Sequence, residues 1–363
     1  MSATPSEATR ATRLTSRGQE APPRREAPDD GPKADARGAS SRGASGWIAG
    51  AAISFVAAAL LLPFVGPAPI DFERLWTRQE PDWSIFLQLR VTRTLLGLFG
   101  GAALGLAGAL FQAMLRDALA TPYTLGVSAG ASLGAVAAIA MGWHVVAGVP
   151  GVWAGALAGA TLVLLLVVSA ASRDRQISTF GLLLAGVATN SVCSAVILLV
   201  HGLSGVSQSF AISRWLIGSI DAIDYPALAT FIAAVIALSI AVMLQARRWN
   251  LIAVGESWAA TRGVEVTSLM RSGYLSGSLL AAGTVALIGP IGFIGLVVPH
   301  LVRTRVSADH RVLLPCAFFF GGVLLASCDA LSRVLLAPAE IPAGAMTAFI
   351  GGPYLVWLVR RRL

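Results

Sequence analysis

The chain is 363 residues long, 55% hydrophobic and only 13% charged, with a formal net charge of +8. That composition excludes an ordinary soluble globular domain and places the chain among polytopic membrane proteins. Three cysteines, Cys193, Cys316 and Cys328, sit in apolar runs without paired spacing, so they read as small buried hydrophobes and point to neither a disulfide framework nor a CxxC metal site.

Residues 1–46 are rich in Pro, Ser, Gly, Arg, Asp and Glu and nearly free of large apolar side chains, so they cannot bury enough surface to fold alone. Arg24-Arg25 is followed by Pro, Asp and Gly, where a twin-arginine signal would turn hydrophobic. The first apolar run, 47–65, follows a long polar lead and is long enough to span, unlike a cleaved signal. The expectation is a disordered cytoplasmic tail over 1–46 and a transmembrane domain over 47–363.

Further apolar runs fall at 94–115, 124–141, 149–170, 179–201, 226–246, 271–289, 312–331 and 343–359. Between the last three, GPIGFIGLVVPH (Gly289 to His300) breaks a hydrophobic helix at Gly289-Pro290 and resumes as the short run 291–302. A spanning helix needs about 17–25 residues, so hydropathy alone leaves nine or ten crossings open. Proline lacks the amide proton a helix interior requires, and a broken backbone persists at membrane depth only against protein or a watery cavity. Gly289, Pro290, Gly292, Gly295 and Pro299 are therefore candidates for a helix break at which something passes or moves.

Charge decides the count. With ten crossings and a cytoplasmic tail, the inner connections carry Arg116, Arg173, Arg175, Arg247, Arg248, Arg262, Arg271, Arg303, Arg305, Arg311 and Arg360 to Arg362. The outer ones carry Arg74, Arg78, Arg90, Arg93, Arg214 and Arg333, offset by Asp71, Glu73, Glu80, Asp82, Asp221, Asp224, Asp329 and Glu340. That asymmetry follows the positive-inside rule, with both termini cytoplasmic. The fold expected is an all-α polytopic membrane protein of about ten transmembrane helices.

Glycines recur at every fourth residue in three runs: Gly97, Gly101 and Gly105; Gly126, Gly130 and Gly134; Gly151, Gly155 and Gly159. Four-residue spacing puts them on one helix face, where their size lets neighbouring backbones approach. Two connections are too long to be turns. Gly202 to Tyr225 contains SFAISRWLIGS, whose Phe210, Ile212, Trp215 and Leu216 fit one side of a short interfacial helix. Arg247 to Arg271 contains GESWAATRGVEV, in which Glu256 suits a helix N-terminus and Gly263 a left-handed cap. A helix of about seven residues needs a partner surface to be stable.

Much chemistry is missing. There is no GxxxxGK[ST] phosphate loop, and the only lysine is Lys33, so the chain is not expected to hydrolyse ATP or to be an enzyme. His144, His201, His300 and His310 are dispersed, outside any metal-ligand spacing, and no cofactor or nucleic-acid partner is expected. Asp329 and Arg333 share a helix face and can neutralise each other near the outer boundary. Acidic residues near mid-bilayer, usual in ion-coupled secondary transporters, are lacking, which disfavours that alternative.

From about Leu89 to its C-terminus the chain resembles the FecCD/BtuC-type permeases, membrane subunits of ABC importers for iron-siderophore complexes, heme and vitamin B12. The matching segments are LRVTRTLLGLFGGAALGLAGALFQAMLRDALATPYTLGVSAGA (89–131), LLLAGVATN (182–190), WLIGS (215–219), GPIGFIGLVVPHLVR (289–303), DHRVLLP (309–315) and PAEIPAGAMTAFIGGPYLVWLV (338–359). The resemblance implies a ten-helix permease of the inner (cytoplasmic) membrane that pairs with a second copy, as a homodimer, or with a close relative. It also implies two cytoplasmic ATPase subunits and a periplasmic or lipid-anchored substrate-binding protein. Iron-siderophore is the first cargo expected, with heme and cobalamin as alternatives.

Residue by residue, the resemblance makes Arg90, Arg93 and Arg333 the outer-rim cations that dock acidic residues of the binding protein. It makes Gly255, Glu256, Ala259, Arg262 and Gly263 the loop that couples to the ATPase. The chain departs from the family pattern at Thr92, usually proline, and at RDALA (Arg116 to Ala120), often RNPLA.

Overall fold

A computed structural model describes residues 35–67, 71–146, 149–173, 176–177, 179–337 and 339–362. The chain divides into two units, Met1–Ser40 and Ser41–Leu363. Of the first, residues 35–40 are described and helical, and the rest of the expected tail, 1–34, lies outside the described residues. Helix α1 spans Asp35–Leu61, so helix begins ahead of the expected tail boundary at residue 46.

The second unit is a helical bundle. A short 3-10 turn, Leu62–Phe64, precedes α2 (Phe72–Trp76), which is capped by the Asp71 carboxylate accepting from the Glu73 amide at 2.9 Å. One continuous helical rod then runs Asp82–Leu115. It comprises α3 (Asp82–Ser84), a π-helical stretch (Ile85–Val91) and α4 (Thr92–Leu115), so the run expected at 94–115 starts much earlier. Thr92 stands at the π-to-α junction, where its hydroxyl donates to the Gln88 carbonyl at 2.6 Å.

Next come α5 (Val127–Ala140), α6 (Gly151–Ala171), α7 (Thr179–Leu203), α8 (Val206–Ile217) and α9 (Tyr225–Leu244). Two minimal antiparallel ladders flank α6: β1 (Val145–Val146) with β2 (Val149–Pro150), and β3 (Ser172–Arg173) with β4 (Gln176–Ile177). The chain closes with α10 (Ala246–Val254), α11 (Glu256–Thr261), α12 (Val266–Ile288), α13 (Ile294–Arg305), α14 (His310–Leu335) and α15 (Ala343–Arg362). Among the described residues, 6 helices are long and apolar enough to cross a membrane by length and composition.

Burial sorts these helices into an axis and a rim. The most apolar window of the Asp82–Leu115 rod is 89% buried, that of α7 only 17%. Leu184, Leu198, Leu199 and Leu203 of α7 are exposed together. In water such a surface would drive aggregation, whereas against lipid tails it costs nothing. The axis can be central because its contact positions are small. A Cβ added at Gly101 would lie 2.3 Å from the Gly321 carbonyl oxygen, and one at Gly105 would lie 2.3 Å from that of Ala317, so α4 and α14 touch backbone to backbone. The second and third glycine runs meet each other, with Gly134 against the Gly155 carbonyl and Gly159 against that of Gly130. Phe55 joins α1 to this core by ring contacts with Phe99, Phe318 and Phe319.

One expectation is corrected. Helix α8 exists, but Ile212 is fully buried while Phe210 is exposed, so the four apolar residues do not share one side. Positions 210 and 212 are about 200° apart on a helix of 3.6 residues per turn.

Candidate functional site

The polar chemistry gathers at the two ends of the α4–α14 pair. At the start of α4, Arg93 donates through Nε and Nη2 to the Asp329 carboxylate at 3.0, 3.1 and 3.2 Å, and through Nη1 to Glu340 Oε2 at 3.1 Å. Arg333 Nε lies 3.2 Å from the same Asp329 carboxylate and also donates to the Asp329 carbonyl at 3.3 Å. One carboxylate thus serves two guanidiniums. Asp329 exposes only 1% of its side chain and Glu340 exposes 50%, so Glu340 is the partner that solvent reaches. A charge as buried as Asp329 is tolerable because it is paired and hydrogen-bonded.

Arg90, buried in the π-helical stretch, lies across Gly66, where an added Cβ would come within 2.7 Å of its Cζ. Asp82 is within electrostatic reach of Arg90, and Arg333 is within reach of both Arg90 and Arg93. The fold therefore brings the three expected arginines together, with Arg93 and Arg333 ion-paired on Asp329 and Arg90 buried beside them. Sequence reasoning paired Asp329 with Arg333 alone and missed Arg93 and Glu340, which lie 236 and 247 residues from their partners.

The helix break is closely packed. Gly289 ends α12 at φ 72°, with the Trp215 carbonyl 2.6 Å from where its Cβ would be, and Gly218 faces the Pro290 carbonyl at the same distance. The Gly344 amide donates to the Gly218 carbonyl at 3.0 Å. Gly289 and Pro290 thus pack on the end of α8, which in turn holds the start of α15, while Gly292 has open space beside it. Past the break, Pro299 cannot donate to the Gly295 carbonyl four residues back. That oxygen instead accepts from Gln112 Nε2 of α4 at 3.4 Å, and Gln112 is buried. Gly295 also packs directly on α4, since a Cβ on Gly108 would lie 1.9 Å from the Gly295 oxygen. Gln112 was missed from sequence, although a lone amide in an apolar helix facing a proline-bearing one is the signal that finds it.

At the opposite end, the loop between α9 and α12 folds into two short helices where one was expected. Gly255 links them in extended conformation, Glu256 begins α11, and Gly263 closes it in the left-handed region at φ 79°. Arg116, just past α4, pairs with Glu256 at 3.7 Å, and the Arg262 guanidinium lies 4.5 Å from the Trp258 ring centre. Ala259 is fully buried against its own chain, so the outward face offers Val254, Trp258 and Arg262. Trp249 anchors α10, donating from Nε1 to the Val242 carbonyl at 3.3 Å and filling the space above Gly273. Asn250 bonds across to Asp309 and His310 at the start of α14. Burial alone would raise the Asp309 carboxyl, but hydrogen bonds from Arg311 and Asn250 outweigh it and bring it down to about 2.

Fold and site together define a polytopic, all-helical membrane protein whose charged groups cap a buried helix pair, with no catalytic constellation among the described residues. Residues 52–361 match the FecCD transport family, and the chain belongs to it. It is 37% identical over 310 residues to the hemin transport system permease protein HmuU of Yersinia pestis, covering 82% of this chain and 90% of that one. It is 37% identical over 275 residues to the vitamin B12 import system permease protein BtuC of Citrobacter koseri, covering 75% and 82%. Among solved structures, it is similar to an ABC transporter of metal-chelate type in an inward-facing conformation. The TM-score is 0.75 at 29% identity, over 87% of this chain and 99% of that one. The protein is accordingly a multi-pass inner-membrane permease of an ABC importer, and its family is one of permease subunits.

Proposed function

We propose that the chain crosses the inner membrane ten times with both termini cytoplasmic, pairs with a second copy, and moves an intact metal chelate inward by alternating access. ATP hydrolysis falls to separate ATPase subunits seated on α10 and α11, and cargo arrives from a binding protein at the Arg93 end. The observation that carries this is the placement of two unlike polar sites at opposite ends of one helix pair. Arg93 opens α4 and Arg116 follows it, and 24 helical residues rise about 36 Å, roughly the hydrocarbon thickness plus its margins.

Docking in this reading is an exchange. An incoming carboxylate displaces half-exposed Glu340 from Arg93, while buried Asp329 keeps the cluster folded. On the coupling side, Trp258 and Arg262 supply the contact, Glu256 is held by Arg116, and Ala259, Gly255 and Gly263 shape the loop. Gly289, Pro290, Gly292, Gly295 and Pro299 form the joint about which α13 and α15 shift. Ferric siderophore, heme and cobalamin are the candidate cargoes. The named relatives handle hemin and vitamin B12, both metal chelates, which supports the class.

The test is reconstitution of the chain with its ATPase and binding protein in vesicles offered ferrichrome, hemin and cyanocobalamin. ATP-dependent uptake of one of them is expected. Uptake driven by an ion gradient without the ATPase would overturn the reading in favour of a secondary transporter.

A further inference from the structure

The segment DHRVLLP begins α14, and nothing above gives it a task. Its first two residues are gripped by Asn250 from the middle of α10. Asn250 Oδ1 accepts the His310 backbone amide at 2.8 Å, which fixes the orientation of the side-chain amide, because a backbone N–H can only donate. Nδ2 then faces Asp309 and donates to Oδ1 at 2.7 Å. The same Asn250 oxygen lies 2.7 Å from His310 Nδ1, which must carry its proton there. Asp309 is itself the cap of α14, accepting from the Arg311 amide at 2.9 Å. A single side chain therefore holds both the cap and the first residue of the neighbouring helix.

We infer that Asn250 is a positioning residue that latches the coupling segment to α14, so that movement imposed on α10 and α11 displaces α14, and α4 with it. The inference rests on the proposed coupling role of that segment. Three observations support it. Helix α10 has nine residues, too few to hold its own shape, so what it is bolted to decides where it goes. Another fastening, Trp249, holds it to α9 through the Val242 carbonyl and to α12 over Gly273, whereas the directional Asn250 contacts reach α14. Helix α14 packs on α4 through Gly101, Gly105 and Gly321 without side chains that could give way, and it carries Asp329 and Arg333 at its far end.

The test uses the full complex of permease, ATPase and binding protein in vesicles. ATP hydrolysis and uptake are measured together, with whichever of ferrichrome, hemin or cyanocobalamin the wild type carries. Asn250→Ala should leave ATP hydrolysis intact and lower molecules transported per ATP about tenfold, as loss of one such bonding group would. The isosteric Asn250→Asp keeps the oxygen that accepts from His310 but sets a carboxylate against Asp309 Oδ1, and should lower the ratio as well. An unchanged ratio in Asn250→Ala overturns the inference, as does an unchanged ratio in Asn250→Asp at normal protein levels. If Asn250→Ala is lost from the membrane, Asn250→Asp alone decides; loss of both makes the contact a folding requirement and also overturns it. Trp258→Ala and Arg262→Glu separate the layers. If they uncouple transport while Asn250→Ala does not, only the latch fails; if they too leave transport intact, the coupling reading fails and takes the latch with it.

Discussion

At one end of the α4–α14 pair Asp329 is shut away from solvent between Arg93 and Arg333. At the other, Asp309 keeps about a third of its side chain exposed and shares it among Arg311, Asn250 and its own helix cap. The first arrangement cannot be half broken, since removing one partner strands a buried charge. At the second, water reaches Asp309 and can replace a bond lost there, whereas the Asn250 bonds to buried His310 have no such substitute. On the proposed reading, the stiff end faces the binding protein and the more adjustable end faces the ATPase.

Breaking the stiff end should give the largest effect. Asp329→Ala strands buried Arg333 and leaves Arg93 with Glu340 alone, and should cost about 3–5 kcal/mol, seen as a steep fall in Tm and membrane yield. Asp309→Ala in the same assay should cost about 1 kcal/mol, the value of a helix cap, and equal losses would erase the distinction. Gly101→Val tests whether the pair is welded between its ends. Overpacking against the Gly321 carbonyl should cost roughly 1–3 kcal/mol, and a silent substitution would mean the helices slide freely.

Gln112→Leu should cost roughly 1–2 kcal/mol by orphaning the Gly295 carbonyl. Thermal melts would show whether α13 is held to α4 by that bond. The smallest change in stability, under about 1 kcal/mol, is expected for Glu340→Gln, a half-exposed partner. Its affinity for the binding protein should nonetheless rise, measured by titration against the detergent-solubilised complex, because Arg93 no longer has a carboxylate to give up. An unchanged or weaker affinity would sink the exchange model of docking.

Legibility differed by element. The apolar runs, the glycine faces and the Gly289-Pro290 break were readable because helix periodicity and backbone chemistry are local. The Asp82 start of the central rod was not, because charged residues in its first turns mimic a loop until burial and ion pairing accommodate them. Glu256 and Gly263 marked the ends of α11 correctly, yet α10 was passed over. Its buried residues Ala246, Trp249 and Ile252 recur every third position, but Arg247 and Arg248 among them read as a polar connection.

By itself, then, the sequence determined a membrane-embedded, all-helical chain, its family and the absence of a GxxxxGK[ST] motif, since hydropathy, spacing and motif are written along the chain. Only the tertiary structure decided that Arg93 belongs to Asp329 and Glu340, that Gln112 serves the carbonyl freed by Pro299, and that Asn250 holds the cap of α14. Each of these joins groups far apart in sequence. Their partners are fixed by which helices glycine allows to touch, and in an apolar medium a buried polar group must take the nearest complement that packing provides.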